Sequence, residues 1–305
     1  MNRTGAVSSL DELLTEQVNP ASVGIDSKPT LEILTIMNEQ DAGIAASVRA
    51  VLPDIARAVD RIVASFQAGG HLFYIGAGTS GRLGVLDASE CSPTFNVSPE
   101  LVQGIIAGGE RALSRATEAS EDDPALGEHD LLFRGFGPKD VLCGIAASGR
   151  TPYVLGAIRA ARRLRAATIG VSCTPDSELS REAEIAITPL PGPEIIAGST
   201  RMRAGTATKL VLNMLTTASM IRIGCVYGNL MVNVQPKNEK LLARARRIVS
   251  QAAELSPEEA AKLLTMAGGV VKTAIVMGRR KAGRAAAEML LVRAGGSVSR
   301  ALTLE

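Results

Sequence analysis

The sequence has few aromatic residues and almost no net charge. Its 305 residues include 3 Tyr, 5 Phe and no Trp, and the formal net charge at pH 7 is +2. Proteins that bind nucleic acid usually carry a basic surface, and those that bind single strands also stack the bases on aromatic side chains. The composition therefore argues against a nucleic-acid partner.

Cysteine and histidine are too sparse to indicate a metal site. The four cysteines are far apart and form no CxxC motif, and neither His71 nor His129 has a second ligand at a suitable spacing. Cys143 and Cys173 lie inside apolar runs. We expect the cysteines to be small core residues in a reducing compartment, rather than disulfides or metal ligands.

Long hydrophobic runs are absent as well. No uninterrupted apolar stretch approaches the roughly 18 residues that a membrane span needs, and the N-terminus lacks the apolar core of a signal peptide. The hydrophobic content of 46% and the charged content of 21% are typical of a globular protein. We therefore predict a cytoplasmic protein with no membrane partner.

Five short apolar runs alternate with helical patterns in the middle of the chain. They cover residues 72–75, 102–106, 141–146, 168–172 and 185–188. The runs are almost continuously apolar, which is typical of strands buried on both faces, and the helices between them predict βαβ crossovers. We expect an α/β fold, with a three-layer α-β-α domain around a five-stranded parallel sheet.

Helical patterns flank this region on both sides. We interpret residues 1–60 as an N-terminal arm with helices, 61–225 as the sheet domain and 226–305 as a small all-helical C-terminal domain. A long helix is predicted from Arg203 to Ile223, and residues 225–236 are interpreted as a linker. Ser256, followed by Pro257 and two glutamates, predicts a capped helix start in the C-terminal domain.

Two turns rich in glycine and hydroxyl groups follow strands of the predicted sheet. The residues concerned are Thr79, Ser80 and Gly81 in the first turn, and Ser148, Gly149, Arg150 and Thr151 in the second. Glycine lets the backbone approach a ligand, and the free N–H groups of a helix start favour an anion. One such turn is usually an ordinary helix cap, but two at the carboxyl ends of parallel strands favour a phosphate or sugar site. Neither turn matches a P-loop or a dinucleotide motif.

A third helix start and two acidic positions complete the set of candidates. Ser199 lies just before the long helix and Arg203 begins it, and arginine suits phosphate or carboxylate recognition there. A capped helix with surface arginines is an equally good interpretation. Glu90 follows the first turn and its helix, and Glu121 begins an acidic cluster. Each alone would be interpreted as solvated surface charge, whereas together they could divide acid and base roles.

Longer stretches around these residues resemble the N-acetylmuramic acid 6-phosphate etherase family, which belongs to the sugar-isomerase (SIS) domain superfamily. The matching stretches are 15–20, 30–34, 74–94, 144–153, 199–213, 228–232 and 238–241. The resemblance implies cleavage of the D-lactyl ether of N-acetylmuramic acid 6-phosphate, in the recycling of cell-wall sugar. It also implies that no metal or organic cofactor is needed, and that the enzyme is a homodimer with its active site near the subunit boundary.

The resemblance further implies elimination followed by hydration, with N-acetylglucosamine 6-phosphate and D-lactate as products. Its two catalytic glutamates correspond to Glu90 and Glu121. We assign Glu90 as the acid that protonates the departing lactyl oxygen, and Glu121 as the base that removes the C2 proton. The turn residues named above, with Ser199 and Arg203, are the expected phosphosugar contacts. The family commonly has lysine where Arg203 stands.

Two other functions are compatible with the same fold. A non-catalytic phosphosugar sensor, similar to the glucokinase regulatory protein, would bind the sugar without needing a proton-transfer pair. The presence of both Glu90 and Glu121 favours an enzyme over a sensor. An aldose–ketose phosphosugar isomerase would also remove a C2 proton, but it would release no lactate.

Overall fold

The computed structural model describes residues 14, 16–115, 120–235 and 238–304. The chain divides into two compact units. The first contains the described residues up to Ala88 together with Glu100–Leu215, and the second contains Ser89–Pro99 together with the described residues from Thr216 onward. The predicted domains, 1–60, 61–225 and 226–305, stay a prediction, and residues 1–13 and 15 of the predicted arm lie outside the described part of the chain.

The first unit is built on a five-stranded parallel sheet. Its strands are β1 (Leu72–Gly76), β2 (Val102–Ile106), β3 (Val141–Ile145), β4 (Ala167–Val171) and β5 (Ile185–Ile187). The spatial order is β2-β1-β3-β4-β5, and every neighbouring pair is parallel. The predicted α/β class and five-stranded parallel sheet are therefore confirmed, with strand ends that differ by at most one residue.

Eight α-helices accompany this sheet in the described chain. They are α1 (Thr30–Asp41), α2 (Ile44–Ala50), α3 (Leu52–Gln67), α4 (Gly78–Phe95), α5 (Pro124–Phe133), α6 (Pro152–Arg163), α7 (Glu178–Glu182) and α8 (Arg203–Arg222), of which α4 and α8 have residues in both units. Helix α3 buries Ile55, Val59 and Ile62, which recur every three or four residues as expected for a core-facing stripe.

Helices cover both faces of the sheet. On one face, a Cβ placed on Gly84 of α4 would lie 2.9 Å from Cβ of Tyr74 and 3.3 Å from Cδ1 of Ile145. On the other face, a Cβ placed on Gly144 would lie 2.8 Å from Cγ1 of Val154 in α6. Successive residues of a strand point to opposite faces, so Gly144 and Ile145 mark the two sides. The predicted three-layer arrangement is confirmed.

The strand order reverses at β1. The chain adds β2 on one side of β1 and then returns to place β3 on the other side, with Gly76 opposite Ile145. Helix α4 follows β1 and helix α6 follows β3, and the two pack on opposite faces of the sheet. Such a point leaves a crevice beyond the carboxyl ends of the strands, where α/β proteins bind their ligands.

Two glycines bring the backbones of α5 and α6 into contact. A Cβ on Gly127 of α5 would lie 1.9 Å from the carbonyl oxygen of Tyr153, and a Cβ on Gly156 of α6 would lie 1.9 Å from that of Pro124. Because any side chain at either glycine would overlap these carbonyl groups, the starts of α5 and α6 are fixed against each other.

The second unit is mainly helical, as predicted for the C-terminal domain. Its helices are α9 (Glu239–Ala253), α10 (Pro257–Met266), α11 (Val271–Arg280), α12 (Arg284–Arg293) and α13 (Val298–Thr303). Val249, Ile275 and Val298 lie in its core. The predicted cap is confirmed, since Ser256 and Glu259 exchange hydrogen bonds of 2.9 and 3.2 Å in a capping box at the start of α10.

The interpretation of residues 225–236 as a linker is wrong in part. The described residues of this stretch contain a two-stranded antiparallel hairpin, formed by β6 (Val226–Tyr227) and β7 (Leu230–Met231). Gly228 has a φ of +58° in the connecting turn, a conformation that glycine adopts without a steric penalty. Strands of two residues are too short to produce an alternating pattern that sequence analysis could detect.

All four cysteines are buried, as predicted for small core residues, and the structure has no disulfide between them. Burial raises the pKa of the Cys173 thiol to about 12, and burial raises the pKa of the Cys143 thiol as well. These thiols therefore stay protonated and unreactive at neutral pH.

Within the described ranges, no group of three or more His, Cys, Asp or Glu side chains could hold a metal ion. In the same ranges, no single helix is long and apolar enough to cross a membrane; only α10 and α11 taken together meet that length and composition test, with a bend of 114° between them.

Candidate active site

The first predicted turn forms the beginning of α4. Gly78, Thr79 and Ser80 occupy the first helical turn, where N–H groups have no acceptor within the helix. The N–H of Gly81 is the first to be used, and it donates to the carbonyl of Ala77 at 3.1 Å. The three preceding N–H groups, together with the positive end of the helix dipole, can bind an anion such as phosphate.

Gly81 also has a packing role. A Cβ at this position would lie 2.6 Å from both the carbonyl oxygen of Gly76 and Cγ1 of Ile106. The two glycines, Gly76 and Gly81, thus let α4 begin directly against the end of β1. That Gly81 contacts the substrate stays a prediction.

The second predicted turn is a loop between β3 and α6 that is fixed by its own hydrogen bonds. Gly149 has a φ of +66°, and its N–H donates to the carbonyl of Ala146 at 2.8 Å. The N–H of Arg150 donates to Oγ of Ser148 at 3.3 Å. Pro152, the first residue of α6, has no N–H to offer. The turn therefore presents mainly side-chain groups to a ligand.

Glu121 lies at the start of α6, next to this second turn. The N–H of Tyr153 donates to the backbone carbonyl of Glu121 at 3.0 Å, and Thr151 is only two residues before Tyr153. Asp123 then caps α5 by accepting from the N–H groups of the second and third helical residues, at 2.8 and 3.2 Å. The structure thus brings one of the two predicted glutamates to one of the two predicted turns, and Glu121 is half-buried there.

The third predicted helix start, that of α8, is occupied by a carboxylate of the chain itself. Glu194 is only 1% exposed, and its two oxygens accept from the N–H groups of Arg203 and Ala204, each at 2.9 Å. A negative charge already satisfies the free N–H groups and the helix dipole. This helix start therefore has little to offer a substrate phosphate, whereas half-buried Ser199 lies in the loop before it.

The loops after β1, β3 and β4 meet the start of α8 at the carboxyl edge of the sheet. A Cβ on Gly205 would lie 3.6 Å from Cγ2 of Thr79. The N–H of Cys173 donates to the carbonyl of Ala147 at 2.9 Å, and its Sγ lies 3.8 Å from the carbonyl oxygen of Ala204. The first turn, the second turn and the α8 start are therefore parts of one surface.

Sequence analysis misses the polar residues that follow β4 and support the second turn. Thr174 donates through Oγ1 to the carbonyl of Ala147 at 3.2 Å, and Ser177 donates to Oγ of Ser172 at 3.2 Å. A Cβ on Gly149 would overlap Oγ of Ser177, at 2.2 Å. The signal was available, because these hydroxyl residues directly follow a buried strand, as those of the first two turns do.

Glu90 is the predicted site residue that lies outside the first unit. It belongs to the part of α4 that the second unit contains, and its side chain is exposed. The pairing of Glu90 with Glu121 stays a prediction.

Comparison with known proteins identifies the family. The chain is 54% identical over 294 residues to the N-acetylmuramic acid 6-phosphate etherase of Glaesserella parasuis serovar 5, which covers 96% of this chain and 97% of the relative. The chain belongs to the N-acetylmuramic acid 6-phosphate etherase family. A second member of the family, from Rhodopirellula baltica, is 52% identical over 296 residues, with 97% and 98% of the two chains covered. The resemblance noted in the sequence is confirmed.

Other comparisons match part of this etherase-family chain. The family model of the glucokinase regulatory protein N-terminal SIS domain matches residues 54–162, which contain β1, β2 and β3. Among solved structures, the chain resembles a putative phosphosugar isomerase involved in capsule formation from Bacteroides fragilis, with a TM-score of 0.49, 19% identity, and coverage of 64% of this chain and 91% of that chain.

Proposed function

We propose that this chain is a carbon–oxygen lyase that cleaves the D-lactyl ether of N-acetylmuramic acid 6-phosphate in the recycling of cell-wall sugar. The products are N-acetylglucosamine 6-phosphate and D-lactate. Identity of 54% to a relative of that name, over nearly the whole of both chains, supports the reaction. The structural observation that carries the proposal is the backbone bond from Tyr153 to Glu121, which holds a carboxylate beside a hydroxyl-rich turn at the ligand crevice.

The proposed binding mode assigns different parts of the substrate to the two turns. The phosphate binds at the start of α4, where the N–H groups of Gly78, Thr79 and Ser80 have no helical acceptor. Gly81 completes this turn. The side chains of the second turn bind the sugar, with Ser199 contributing from the loop before α8. The second-turn residues are Ser148, Gly149, Arg150 and Thr151.

The proposed chemistry begins when the sugar ring opens and C1 becomes an aldehyde, which acidifies the proton on C2. Glu121 removes that proton, the electrons form a C2–C3 double bond, and the C3–O bond breaks. Glu90 gives a proton to the departing lactyl oxygen. Water then adds its oxygen to C3 while C2 regains a proton, which restores a saturated sugar. A positioned acid or base typically contributes about 10² to 10⁴ in rate.

The roles of the two glutamates can be separated by isotope exchange. In deuterated water, we expect Glu90→Gln to stop lactate release but to retain exchange of the C2 proton, because the base is still present. Glu121→Gln should lose both. Equal exchange rates in the two variants would overturn the assignment of roles while leaving the proposed reaction intact.

The proposed reaction itself is tested by incubating the purified chain with N-acetylmuramic acid 6-phosphate and assaying D-lactate. We expect stoichiometric lactate and N-acetylglucosamine 6-phosphate. An isomerase would instead convert an aldose phosphate to its ketose and release no lactate.

A non-catalytic sensor is the second candidate function. The match to the glucokinase regulatory protein N-terminal SIS domain favours it, although that match ends at residue 162, whereas the etherase relative covers 96% of the chain. Tight binding of N-acetylglucosamine 6-phosphate with no lactate release would support the sensor.

We also propose that the chain forms a homodimer in the cytoplasm. Leu31 of α1 is 76% exposed and Phe133 of α5 is 81% exposed, so apolar surface remains that a second copy could cover. Four buried cysteines with no disulfide between them suit a reducing compartment. Sedimentation of the purified chain at twice the mass of one copy is the expected result, and a single-copy mass would contradict the dimer.

A further inference from the structure

Arg203 carries a buried guanidinium that binds neutral groups of the protein. Arg203 is only 8% exposed. Nη1 donates to Oε1 of Gln40 at 2.9 Å and to the carbonyl of Pro193 at 3.1 Å. Its Nε is buried without a hydrogen-bond partner. Burial of a charge is costly unless it is paired, and the acceptors of this guanidinium are uncharged groups.

Asn19 binds the same two acceptors from the N-terminal side. Its Nδ2 donates to Oε1 of Gln40 at 3.2 Å and to the carbonyl of Pro193 at 3.1 Å. Asn19 is 3% exposed, and its Oδ1 accepts from the N–H of Ala21 at 2.9 Å. The four residues Asn19, Gln40, Pro193 and Arg203 form one hydrogen-bonded group, which we call the Arg203 clamp. It joins the segment before α1, the last turn of α1 and the loop before α8.

The Arg203 clamp is connected to the candidate site through the start of α8. Pro193 is followed by Glu194, whose carboxylate binds the first two N–H groups of that helix. In the same first turn of α8, Gly205 approaches Thr79: a Cβ on Gly205 would lie 3.6 Å from Cγ2 of the threonine. The clamp therefore fixes the loop that contains Ser199, and it fixes the helix start that borders the first turn of α4.

We propose that Arg203 is a positioning residue and not a phosphate contact. Nη1 of its buried guanidinium donates to Gln40 and Pro193, and the carboxylate of Glu194 already binds the N–H groups at the start of α8. Loss of the clamp would loosen the loop that contains Ser199. It would therefore weaken the binding of the sugar and of its phosphorylated form to a similar extent. The inference rests on the proposed function for the identity of the ligand. It adds that the Arg203 clamp fixes the loop and the helix start that border the ligand's site.

The test measures the affinity for N-acetylglucosamine 6-phosphate and for N-acetylglucosamine by calorimetry. The variants are Arg203→Met, Asn19→Ala and the double variant, with Arg49→Met as the control, because Arg49 is an exposed arginine on α2. We expect each single variant to lower the affinity for both ligands by a similar factor of about tenfold. This is the size expected for loss of a hydrogen bond to a charged group. The double variant should be little worse than either single variant, because both side chains hold the same acceptors. Arg49→Met should match the wild type.

A second readout is amide hydrogen exchange. The N–H of Ala21 is held by Oδ1 of Asn19, so it should exchange faster in Arg203→Met when the clamp opens. If Arg203→Met does not fold, the two affinities of Asn19→Ala decide the matter, because that variant removes the acceptor of the Ala21 N–H itself. The proposal is overturned if Arg203→Met weakens binding of the phosphorylated ligand alone and leaves Ala21 exchange unchanged, or if Asn19→Ala changes neither affinity. Neither measurement depends on lactate release, so a wild-type chain that releases no lactate would refute the proposed reaction without affecting this test.

Discussion

The turn that begins α4 and the turn between β3 and α6 follow neighbouring strands, but they use their backbone N–H groups differently. At the first turn, three N–H groups precede the first helical bond, which Gly81 makes to Ala77. At the second turn, Pro152 has no N–H, and the N–H of Tyr153 donates a hydrogen bond to the carbonyl of Glu121. The first turn therefore suits an anion, whereas the second holds a carboxylate in place.

This comparison predicts that displacing the start of α6, which holds Glu121, lowers kcat, and that removing a hydroxyl from either turn weakens ligand binding. The largest effect is expected for Gly156→Ala, whose Cβ would lie 1.9 Å from the carbonyl oxygen of Pro124 and would push α5 away from α6. A displacement of about 1 Å in a catalytic group can lower kcat about a hundredfold, and we expect a loss of that order with little change in KM. Steady-state lactate release measures both constants.

The control for this variant is Gly137→Ala. A Cβ at Gly137 would meet only Oδ2 of Asp140, at an ordinary distance of 3.8 Å. The two substitutions are chemically identical, so an equal loss of kcat in both would show that the contact between α5 and α6 does not position Glu121.

An intermediate effect is expected when a hydroxyl is removed from each turn. Ser80→Ala should weaken N-acetylglucosamine 6-phosphate about tenfold more than N-acetylglucosamine, because a hydrogen bond to a charged group is lost. Ser148→Ala should weaken both ligands equally, since its turn is assigned to the sugar. Calorimetric titration of both ligands into both variants makes the comparison, and phosphate selectivity in Ser148→Ala would reverse the roles of the two turns.

The smallest effect is expected for Tyr153→Phe, which keeps the backbone bond to Glu121 and removes only the hydroxyl. That hydroxyl donates to Oδ2 of Asp130 at 2.7 Å, and its loss should lower the free energy of unfolding by about 1 kcal/mol at neutral pH. The value of kcat should not change. A fall in kcat would mean that the side chain, and not the backbone bond, positions Glu121.

The difference in stability between the wild type and Tyr153→Phe depends on pH. Burial, and then the bond to Asp130, raise the pKa of Tyr153 in the folded chain. This contribution to stability is complete below the unfolded pKa of about 10, and it is lost as the pH rises through the folded value, because the unfolded phenol ionises first. Urea denaturation should therefore show the advantage of wild type over Tyr153→Phe shrinking above pH 10.

The strands were predictable because continuous apolar runs between helical patterns have few other interpretations. The two turns were predictable for a related reason, since glycines and hydroxyl residues directly follow those runs. The sequence did not reveal what each glycine does, because Gly81 is needed against Gly76 as well as near any ligand. Close packing between backbones leaves no pattern that a single sequence displays.

The parts that sequence analysis missed depend on contacts between distant residues. Asn19 and Pro193 are 174 positions apart, and nothing local marks them as partners. Glu194 caps α8 from a position nine residues before Arg203, across a loop without regular structure, whereas a conventional cap immediately precedes the first helical residue. The position of Arg203 at a helix start predicts a ligand contact, and no local pattern predicts its bonds to Gln40 and Pro193.

The buried cysteines make the two units separately observable. Cys143 and Cys173 belong to the first unit, and Cys91 and Cys225 belong to the second. A thiol-modifying reagent can reach each pair only when the surrounding unit opens. Timed modification followed by peptide mass analysis of the natural chain, with no inserted label, would therefore record how often each unit opens in a single sample.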